Sequence, residues 1–327
     1  MGKYVIGVDG GGTKTQCALF DLEGNEIDLI KWGPLNHEVL SGGFEEFHSE
    51  LEKLLNYIMV KNGIEIKDIE KGVFGLAGVD TKDQYSVISE ILSKTGIKSF
   101  VLCNDAFLGI KAGCVNGYGI CVINGTGCSV AGINRQGDMF QIGGQGALTG
   151  DRGGGSMIGE AAIRSVYNYF FRCGKKTVMK DLLFEMLGID DKYAFMDEIT
   201  RRLMDKSLYI ADVNKFVFDA ANMGDEVACE ILAEVGRELG LSTNGMIKEM
   251  RFEENEDIEI ILAGSVNVKG DNPILIHSLK EQVFQNTEKR NINFIVLDKP
   301  PVAGAIMWAF ENSIDKTEMF NKIMKQF

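Results

Sequence analysis

The chain has 327 residues, of which 45% are hydrophobic and 25% are charged, a composition typical of soluble globular proteins. This length suits two domains, each large enough to bury its own core. The net charge of −13 disfavours nucleic acid and anionic membrane surfaces as partners, because both repel an acidic protein, although it permits a local phosphate site.

The cysteines and the start of the chain indicate a cytoplasmic protein. None of the seven cysteines forms a C-x-x-C pair, which fits reduced thiols. The first residues lead directly into an apolar strand, so we expect no targeting segment. No apolar run approaches the roughly 18 residues that a membrane span needs.

The first predicted element is a buried strand that begins at Tyr4 and leads into the glycine-rich turn Asp9–Thr15, followed by a second strand at Cys17–Phe20. Consecutive glycines let backbone N–H groups approach an anion, while Asp9 suits a hydrated divalent cation and Lys14 suits phosphate oxygens. A tight hairpin without a ligand is the alternative interpretation. The spacing matches no Walker loop, and a strand follows where a dinucleotide fingerprint needs a helix.

Strands and helices then alternate through the first third of the chain. Apolar periodicity predicts helix Phe44–Lys61, strand Lys71–Leu76, helix Asp83–Lys94, strand Ser99–Cys103 and helix Ala106–Ala112. This order implies a mixed β-sheet with helices on its faces, an α/β fold.

The opening pattern returns near residue 118. A strand at Tyr118–Asn124 leads through a turn of small residues into a second strand, and Val130–Asp138 parallels Ala18–Asn25. We interpret this as an internal duplication with a boundary near Gly113–Gly117, the alternative being a chance likeness of two hairpins.

The second half begins with a glycine-dense stretch at 143–155, which is predicted to be a shaped loop. Largely helical sequence follows from Met157 to about Met250. The remaining predicted elements are strand Ile258–Leu262, strand Asn293–Leu297 and helix Val302–Phe310.

A set of short motifs along the chain carries a more specific signal than any single element. They are Asp9-Gly10-Gly11-Gly12-Thr13-Lys14-Thr15, Asn36-His37, Gly78-Val79-Asp80, Asn104-Asp105-Ala106, Asn124-Gly125-Thr126-Gly127-Cys128-Ser129, Gly150-Asp151 and Ala263-Gly264-Ser265. Together they resemble the sugar kinase, Hsp70 and actin superfamily, and within it the BadF/BadG/BcrA/BcrD ATPase-like family, which includes N-acetylglucosamine kinase.

The resemblance implies two ribonuclease H-like (actin-like ATPase) lobes, each with a mixed β-sheet flanked by helices, and an active site in the cleft between them. The N-terminal lobe would cover 1–115, joined by a C-terminal helix at about 312–327. The C-terminal lobe would cover 116–311 and carry a helical insertion and the adenosine motif. A homodimer is also expected, since dimers are common in the family.

The resemblance also assigns nucleotide contacts, with ATP and Mg²⁺ as the implied cofactors. Asp9 would hold the metal through water. The implied phosphate-binding residues are Gly11, Gly12, Thr13, Lys14, Thr15, Gly125, Thr126, Gly127 and Ser129. The implied adenosine-binding residues are Ala263, Gly264 and Ser265.

Asp105 is the implied catalytic base, which would take the proton of the attacking sugar hydroxyl. Its alternative role is to cap the helix that starts at Ala106. The implied sugar-binding residues are Asn36, Gly78, Asp105, Thr126, Gln145, Gly146 and Asp151. His37 is expected to be structural, and Asp80 to be a cap of the next helix.

Two residues depart from the pattern of the N-acetylglucosamine kinases. Gln145 stands where that pattern has tryptophan, and Arg152 where it has an acid. These changes leave the identity of the sugar substrate open, and Arg152 favours an acidic or phosphorylated sugar.

The function implied is an ATP-dependent kinase that transfers the γ-phosphate to a hydroxyl, expected to be the 6-hydroxyl, of an amino sugar such as N-acetylglucosamine or glucosamine. The alternative is an ATPase that activates a CoA-ester dehydratase or reductase. Such an activator needs cysteines at a subunit interface for an iron–sulfur cluster, whereas Cys103 and Cys121 lie in predicted buried strands. A sugar-sensing regulator is disfavoured because no DNA-binding extension precedes Tyr4.

Overall fold

A computed structural model describes residues 3–253, 256–287 and 290–327. The chain divides into two compact units. The first unit comprises Met1–Cys121, Gly132–Asp138 and Leu297–Phe327, and the second comprises Val122–Ala131 and Met139–Val296. The lobes expected from the sequence stay a prediction, and the observed units differ from them in assigning 116–121, 132–138 and 297–311 to the first unit.

The first sheet has five strands, β1–β5: Tyr4–Gly10, Thr15–Asp21, Glu26–Trp32, Ile69–Leu76 and Phe100–Cys103. Their order is β3-β2-β1-β4-β5. Strand β1 is antiparallel to β2 and parallel to β4, and β4 is parallel to β5. The predicted mixed sheet is therefore confirmed.

The second sheet also has five strands, β6–β10: Gly119–Asn124, Cys128–Ile133, Met139–Gly143, Ile258–Ala263 and Ile292–Val296. Their order, β10-β9-β6-β7-β8, repeats that of the first sheet when read from the other end. Strand β9 is parallel to β10. The shared order agrees with the predicted internal duplication.

The helices of the described residues are numbered α1–α12 in chain order. They cover Gly43–Asn62, Lys82–Ser93, Leu108–Gly113, Gly154–Phe171, Met179–Leu187, Phe195–Met204, Asn214–Asn222, Glu226–Glu249, Ser265–Lys269, Ile274–Gln285, Pro301–Ala309 and Lys316–Met324. None of these helices combines the length and apolar character that a membrane crossing requires.

Alternation along β1 supplies both cores of the first unit. Ile6 and Val8 belong to a core that contains Phe47 and Leu51 of α1. Val5 points to the other face and packs with apolar residues of α11, such as Ile306. This packing explains why α11 belongs to the first unit.

Three details differ from the sequence prediction. The edge strands β3 and β8 were not predicted, since β3 buries only Ile30 and β8 buries none of its residues. The glycine stretch is not a loop throughout, because Gly154 and Gly155 open the 18-residue helix α4. The helix predicted at 106–112 is a single 3₁₀ turn, Asp105–Phe107, followed by α3.

A close approach between α11 and α3 depends on Gly304. A Cβ at this position would collide with the carbonyl oxygen of Leu108 and would lie 2.9 Å from the backbone nitrogen of Ala112. Backbone atoms cannot move aside as a flexible side chain can, so the helices would have to separate.

We therefore expect Gly304→Ala to lower the free energy of unfolding by about 1–3 kcal/mol, despite the higher helix propensity of alanine. Chemical denaturation measures this. Gly33→Ala is the control, because a Cβ at Gly33 meets nothing within 4 Å. Equal stabilities of the two variants would contradict the packing argument.

Candidate functional site

The turn between β1 and β2 is a tight loop with backbone donors available. The N–H of Gly11 donates to the carbonyl of Lys14 at 3.0 Å, which closes the loop. Within the described residues, the N–H groups of Gly12 and Thr13 donate to no acceptor, and the side chains of Thr13 and Lys14 are exposed. Such free N–H groups beside a lysine suit an anion.

Thr15 lies behind this turn, at the start of β2. It is fully buried in β2, between its neighbours Gly10 on β1 and Trp32 on β3, and its hydroxyl has no hydrogen-bond partner within the described residues. The hydroxyl is closed off from solvent, and the phosphate contact predicted for Thr15 stays a prediction.

Two carboxyl groups of the first unit have pKa values raised above the ordinary range of an aspartate. Burial raises the pKa of Asp9 to about 7, with the charge of Asp105 adding to the effect and Lys14 opposing it. Burial also raises the pKa of Asp105 to about 6, with a contribution from the charge of Asp80. The two acids therefore share a desolvated environment and repel each other.

Helix caps around Asp105 are supplied by its neighbours. Asn104 caps the 3₁₀ turn, since its Oδ1 accepts from the N–H of Ala106 at 2.9 Å. The alternative role weighed for Asp105, to cap this turn, thus belongs to Asn104. The predicted cap role of Asp80 belongs to Thr81, whose side chain accepts from Gln84 at the start of α2.

Asp80 instead accepts a hydrogen bond from Nδ2 of Asn104 at 2.9 Å. Asn104 therefore connects the segment after β4 with the end of β5. Sequence reasoning quoted Asn104 only as part of a motif and missed this role. Its position before a short helix, where Asn is a preferred cap, was the available signal.

Asn36 lies in a buried turn against Gly78. Its Oδ1 accepts from the N–H of Glu38 at 2.8 Å, while its Nδ2 donates to no acceptor within the described residues. Gly78 has φ of 82°, and a Cβ there would lie 2.6 Å from Oδ1 of Asn36. One amide donor is therefore free beside a backbone that only glycine allows.

His37 has a structural environment, as expected. Its ring stacks on Phe44 with 4.1 Å between centroids. Burial lowers its pKa, although the charges of Glu38 and Asp80 oppose this. A neutral, stacked imidazole positions the loop that carries Asn36.

In the second unit, the turn between β6 and β7 rests on the start of α4. The N–H groups of Gly155 and Ser156 donate to the carbonyls of Gly125 and Thr126 at 2.7 and 3.1 Å. The turn is closed by the N–H of Gly125, which donates to Gly127 at 2.9 Å. Thr126 and Gly127 are exposed at the tip, whereas the predicted phosphate ligand Ser129 is only half-buried behind it.

Asn267 holds this turn against the end of β9, and the sequence analysis missed it. Its Nδ2 donates to the carbonyls of Val122 and Ala263 at 3.0 and 3.1 Å, and its Oδ1 accepts from Asn124 at 3.2 Å. Gly264 has φ of 88°, and a Cβ there would collide with the backbone of Asn124. The predicted adenosine motif, Ala263 to Ser265, therefore packs directly on the second glycine turn.

The loop after β8 is organised by Asp151. Its Oδ2 accepts from the N–H groups of Gln145 and Gly146 at 2.9 and 2.8 Å, and from the hydroxyl of Thr149 at 2.9 Å. Its Oδ1 has no hydrogen-bond partner within the described residues. Gln145 and Gly146 thus meet Asp151 through their backbones, and the Gln145 side chain is exposed.

A directly coordinated metal ion needs several ligand side chains in one place. Among the described residues, no group of three or more His, Cys, Asp or Glu side chains is placed to hold a metal ion directly. A hydrated Mg²⁺ needs only one or two carboxylates and keeps its waters. Asp9, whose raised pKa a nearby cation would lower again, fits that form of binding.

Two sheets of the same strand order, each with a small-residue turn after its central strand, define the fold of the actin-like ATPases and sugar kinases. A solved structure of a protein named as an N-acetylglucosamine kinase, from Chromobacterium violaceum, matches with a TM-score of 0.65 and 19% identity, covering 94% of this chain and 98% of that one.

Sequence comparison gives the family. The model of the BadF/BadG/BcrA/BcrD ATPase family matches residues 6–309, and the chain belongs to this family. The N-acetylmuramic acid/N-acetylglucosamine kinase of Clostridium acetobutylicum is 31% identical over 265 residues, 81% of this chain and 85% of that protein. The N-acetyl-D-glucosamine kinase of Dictyostelium discoideum is 28% identical over 318 residues, 94% of this chain and 98% of that protein.

The half-buried acid Asp9 makes the stability of the fold depend on pH. Its pKa of about 7 in the native state lies above that of the unfolded chain, so folding binds a proton that is lost as pH rises. We expect the Asp9 contribution to lower the unfolding free energy from about pH 4 to about pH 7, between the pKa values of the unfolded and native states. Asp9→Asn should remove part of that fall. At pH 8 the free energy of unfolding of this variant should exceed that of the parent by about 1–2 kcal/mol.

Urea denaturation at several pH values measures this effect. The control is Asp190→Asn, because Asp190 is exposed. If Asp9→Asn keeps the full pH dependence of the parent, the Asp9 carboxyl is not the group responsible.

Proposed function

We propose that this chain is an ATP-dependent kinase of an amino sugar such as N-acetylglucosamine or glucosamine, with Asp105 as the general base. The observation that carries the proposal is the Asp105 carboxyl group just after β5, whose pKa burial raises to about 6, while Asn104 caps the turn that follows. A base of this pKa is deprotonated at neutral pH yet still accepts a proton from an attacking hydroxyl. The names of the two sequence relatives support the same reaction.

In the proposed reaction, Asp105 takes the proton of the acceptor hydroxyl as its oxygen attacks the γ-phosphorus. The bond between the γ-phosphorus and the β–γ bridging oxygen breaks, and ADP leaves. Phosphoryl transfer depends mainly on positioning and charge neutralisation. The acceptor is predicted to be the 6-hydroxyl, which the position of the phosphate in the product would test.

The glycine turns and Lys14 would neutralise the negative charge of the ATP phosphates. We propose that the free N–H groups of Gly12 and Thr13, together with Gly11 and Lys14, bind phosphate oxygens. Mg²⁺ held through water by Asp9 would supply further neutralisation of the phosphates. The phosphate roles of Gly125, Thr126, Gly127 and Ser129, and the adenosine role of Ala263 to Ser265, stay predictions.

Sugar recognition is proposed for Asn36 and Gly78, in addition to Asp105. The free Nδ2 of Asn36 can donate to a sugar hydroxyl or an amide oxygen. The sugar contacts predicted for Thr126, Gln145, Gly146 and Asp151 stay predictions, as do the homodimer and the cytoplasmic location.

The activator ATPase is the weaker alternative. Cys103, Cys114 and Cys121 are buried, and burial raises the pKa of Cys121 to about 12 and that of Cys103 further. A thiol must be deprotonated and accessible to ligate a cluster at a subunit interface. These cysteines do not meet that requirement.

ADP release against a panel of amino sugars and hexoses, with a no-sugar control, tests the proposal. We expect release to depend on sugar, and Asp105→Asn to reduce it by about 10²–10⁴-fold while ATP still binds. Asp83→Asn, at an exposed acid of α2, is the control. ADP release that does not depend on sugar would favour the ATPase alternative. Near-normal turnover of Asp105→Asn would show that Asp105 is not the general base.

A further inference from the structure

The side-chain amide of Gln84, in the first turn of α2, uses both of its ends for hydrogen bonds. Its Oε1 accepts from the backbone N–H groups of Asp80 and Thr81 at 3.0 and 2.9 Å. Its Nε2 donates to Oε1 of Glu38 at 2.9 Å and lies 3.4 Å from Nε2 of His37. Two backbone donors at one end and a carboxylate at the other fix the orientation of this amide.

Helix capping accounts for only one end of the amide. Thr81 and Gln84 form a capping box, in which the Thr81 hydroxyl accepts from the N–H of Gln84 and Oε1 of Gln84 accepts from the N–H of Thr81. Glutamate serves in a capping box as well as glutamine does, because only an acceptor is needed. The Nε2 group is not needed for the cap, and its acceptor Glu38 lies 46 residues earlier in the chain.

The loop that Nε2 reaches carries Asn36. The N–H of Glu38 donates to Oδ1 of Asn36 at 2.8 Å, while the carboxylate of Glu38 accepts from Gln84. Glu38 is therefore held at both its backbone and its side chain. Because Oδ1 of Asn36 accepts this bond, the amide of Asn36 is oriented with Nδ2 available for a ligand.

From the Oε1 end of Gln84, hydrogen bonds continue to the turn of Asp105. Oδ1 of Asp80 accepts from Nδ2 of Asn104 at 2.9 Å, and Asp105 is the next residue along the chain. The Asn36 loop is therefore connected, through Gln84 and Asp80, with the turn that begins at Asp105. All of these residues belong to the first unit.

We infer that Gln84 is a positioning residue, which holds the Asn36 loop and the Asp105 turn in the arrangement that one acceptor sugar needs. This inference rests on the proposed kinase function. Gln84 acts through Glu38 and the backbone of Asp80 and needs no contact with a ligand. Phosphoryl transfer depends on such positioning, because a small displacement of the acceptor hydroxyl from the base slows the reaction strongly.

Gln84→Glu tests the inference while preserving the helix cap. The carboxylate introduced at position 84 still accepts from the two N–H groups, but it cannot donate to Glu38 and repels its negative charge. We expect kcat/KM for N-acetylglucosamine to fall about 5–30-fold, the equivalent of one lost hydrogen bond to a charged group. KM for ATP and the melting temperature should stay close to those of the parent, because the cap is kept and the turn closed by Gly11 and Lys14 has no hydrogen bond to Gln84 within the described residues.

Exchanging the two side chains should restore the link. In Glu38→Gln combined with Gln84→Glu, the amide introduced at position 38 donates to the carboxylate introduced at position 84. We expect this double variant to recover most of the lost kcat/KM, a non-additivity that a change in helix capping would not produce. Glu38→Gln alone should stay close to the parent, because it keeps an acceptor for Nε2 of Gln84.

Gln136→Glu is the matched control, because it adds the same charge at an exposed turn of the first unit. Its kcat/KM should equal that of the parent. Parent-like kcat/KM in Gln84→Glu would overturn the inference. So would a loss in Gln84→Glu that the exchanged pair does not restore.

Hydrogen exchange separates failure of this inference from failure of the kinase proposal. The N–H of Glu38, which donates to Asn36, should exchange faster in Gln84→Glu and return to the parent rate in the exchanged pair. If exchange follows this pattern but the parent releases no ADP in response to sugar, Gln84 holds the loop and the kinase proposal falls. If the parent phosphorylates N-acetylglucosamine and exchange is equal in all variants, the kinase proposal stands and the role of Gln84 falls.

Discussion

The parallel arrangement of β1, β4 and β5 is the constraint on which the first unit's site depends. Carboxyl ends of parallel strands meet at one edge of a sheet, so Asp9, Asp80 and Asp105 gather there. Their mutual repulsion and burial raise two pKa values, which destabilises the folded chain at neutral pH. A stable fold alone gives no reason for such an arrangement, and titratable groups shifted in this way mark functional sites.

The second sheet repeats the strand order with different chemistry at the matching edge. Amide and backbone groups replace the acids: Asn124 ends β6, Gly264 follows β9, and Asn267 bonds to both strands. One unit therefore concentrates negative charge, while the other offers a neutral, rigid turn. This division suits a duplicated fold in which only one copy supplies an acid–base group.

The sequence predicted the central strands, the long helices and both glycine turns, because continuous apolar runs and consecutive glycines are strong local signals. It missed β3 and β8, whose edge positions bury few side chains. The burial of Thr15 was not predicted either, because the exposure of this side chain depends on the neighbouring strands and not on its own motif. The side chains of Asn104 and Asn267 form hydrogen bonds with residues distant in the sequence, so the spacing of motifs could not predict these contacts.

Asp151 and Arg152 are adjacent but differ in what a substitution can reveal. Oδ2 of Asp151 holds the loop together, so a neutral replacement would release the loop and alter any ligand contact at the same time. A loss of activity there would not separate the two effects. Arg152 donates no hydrogen bond within the described residues and forms only a long, exposed ion pair with Glu234 at 3.8 Å, so its substitution would leave the hydrogen bonds of the loop intact.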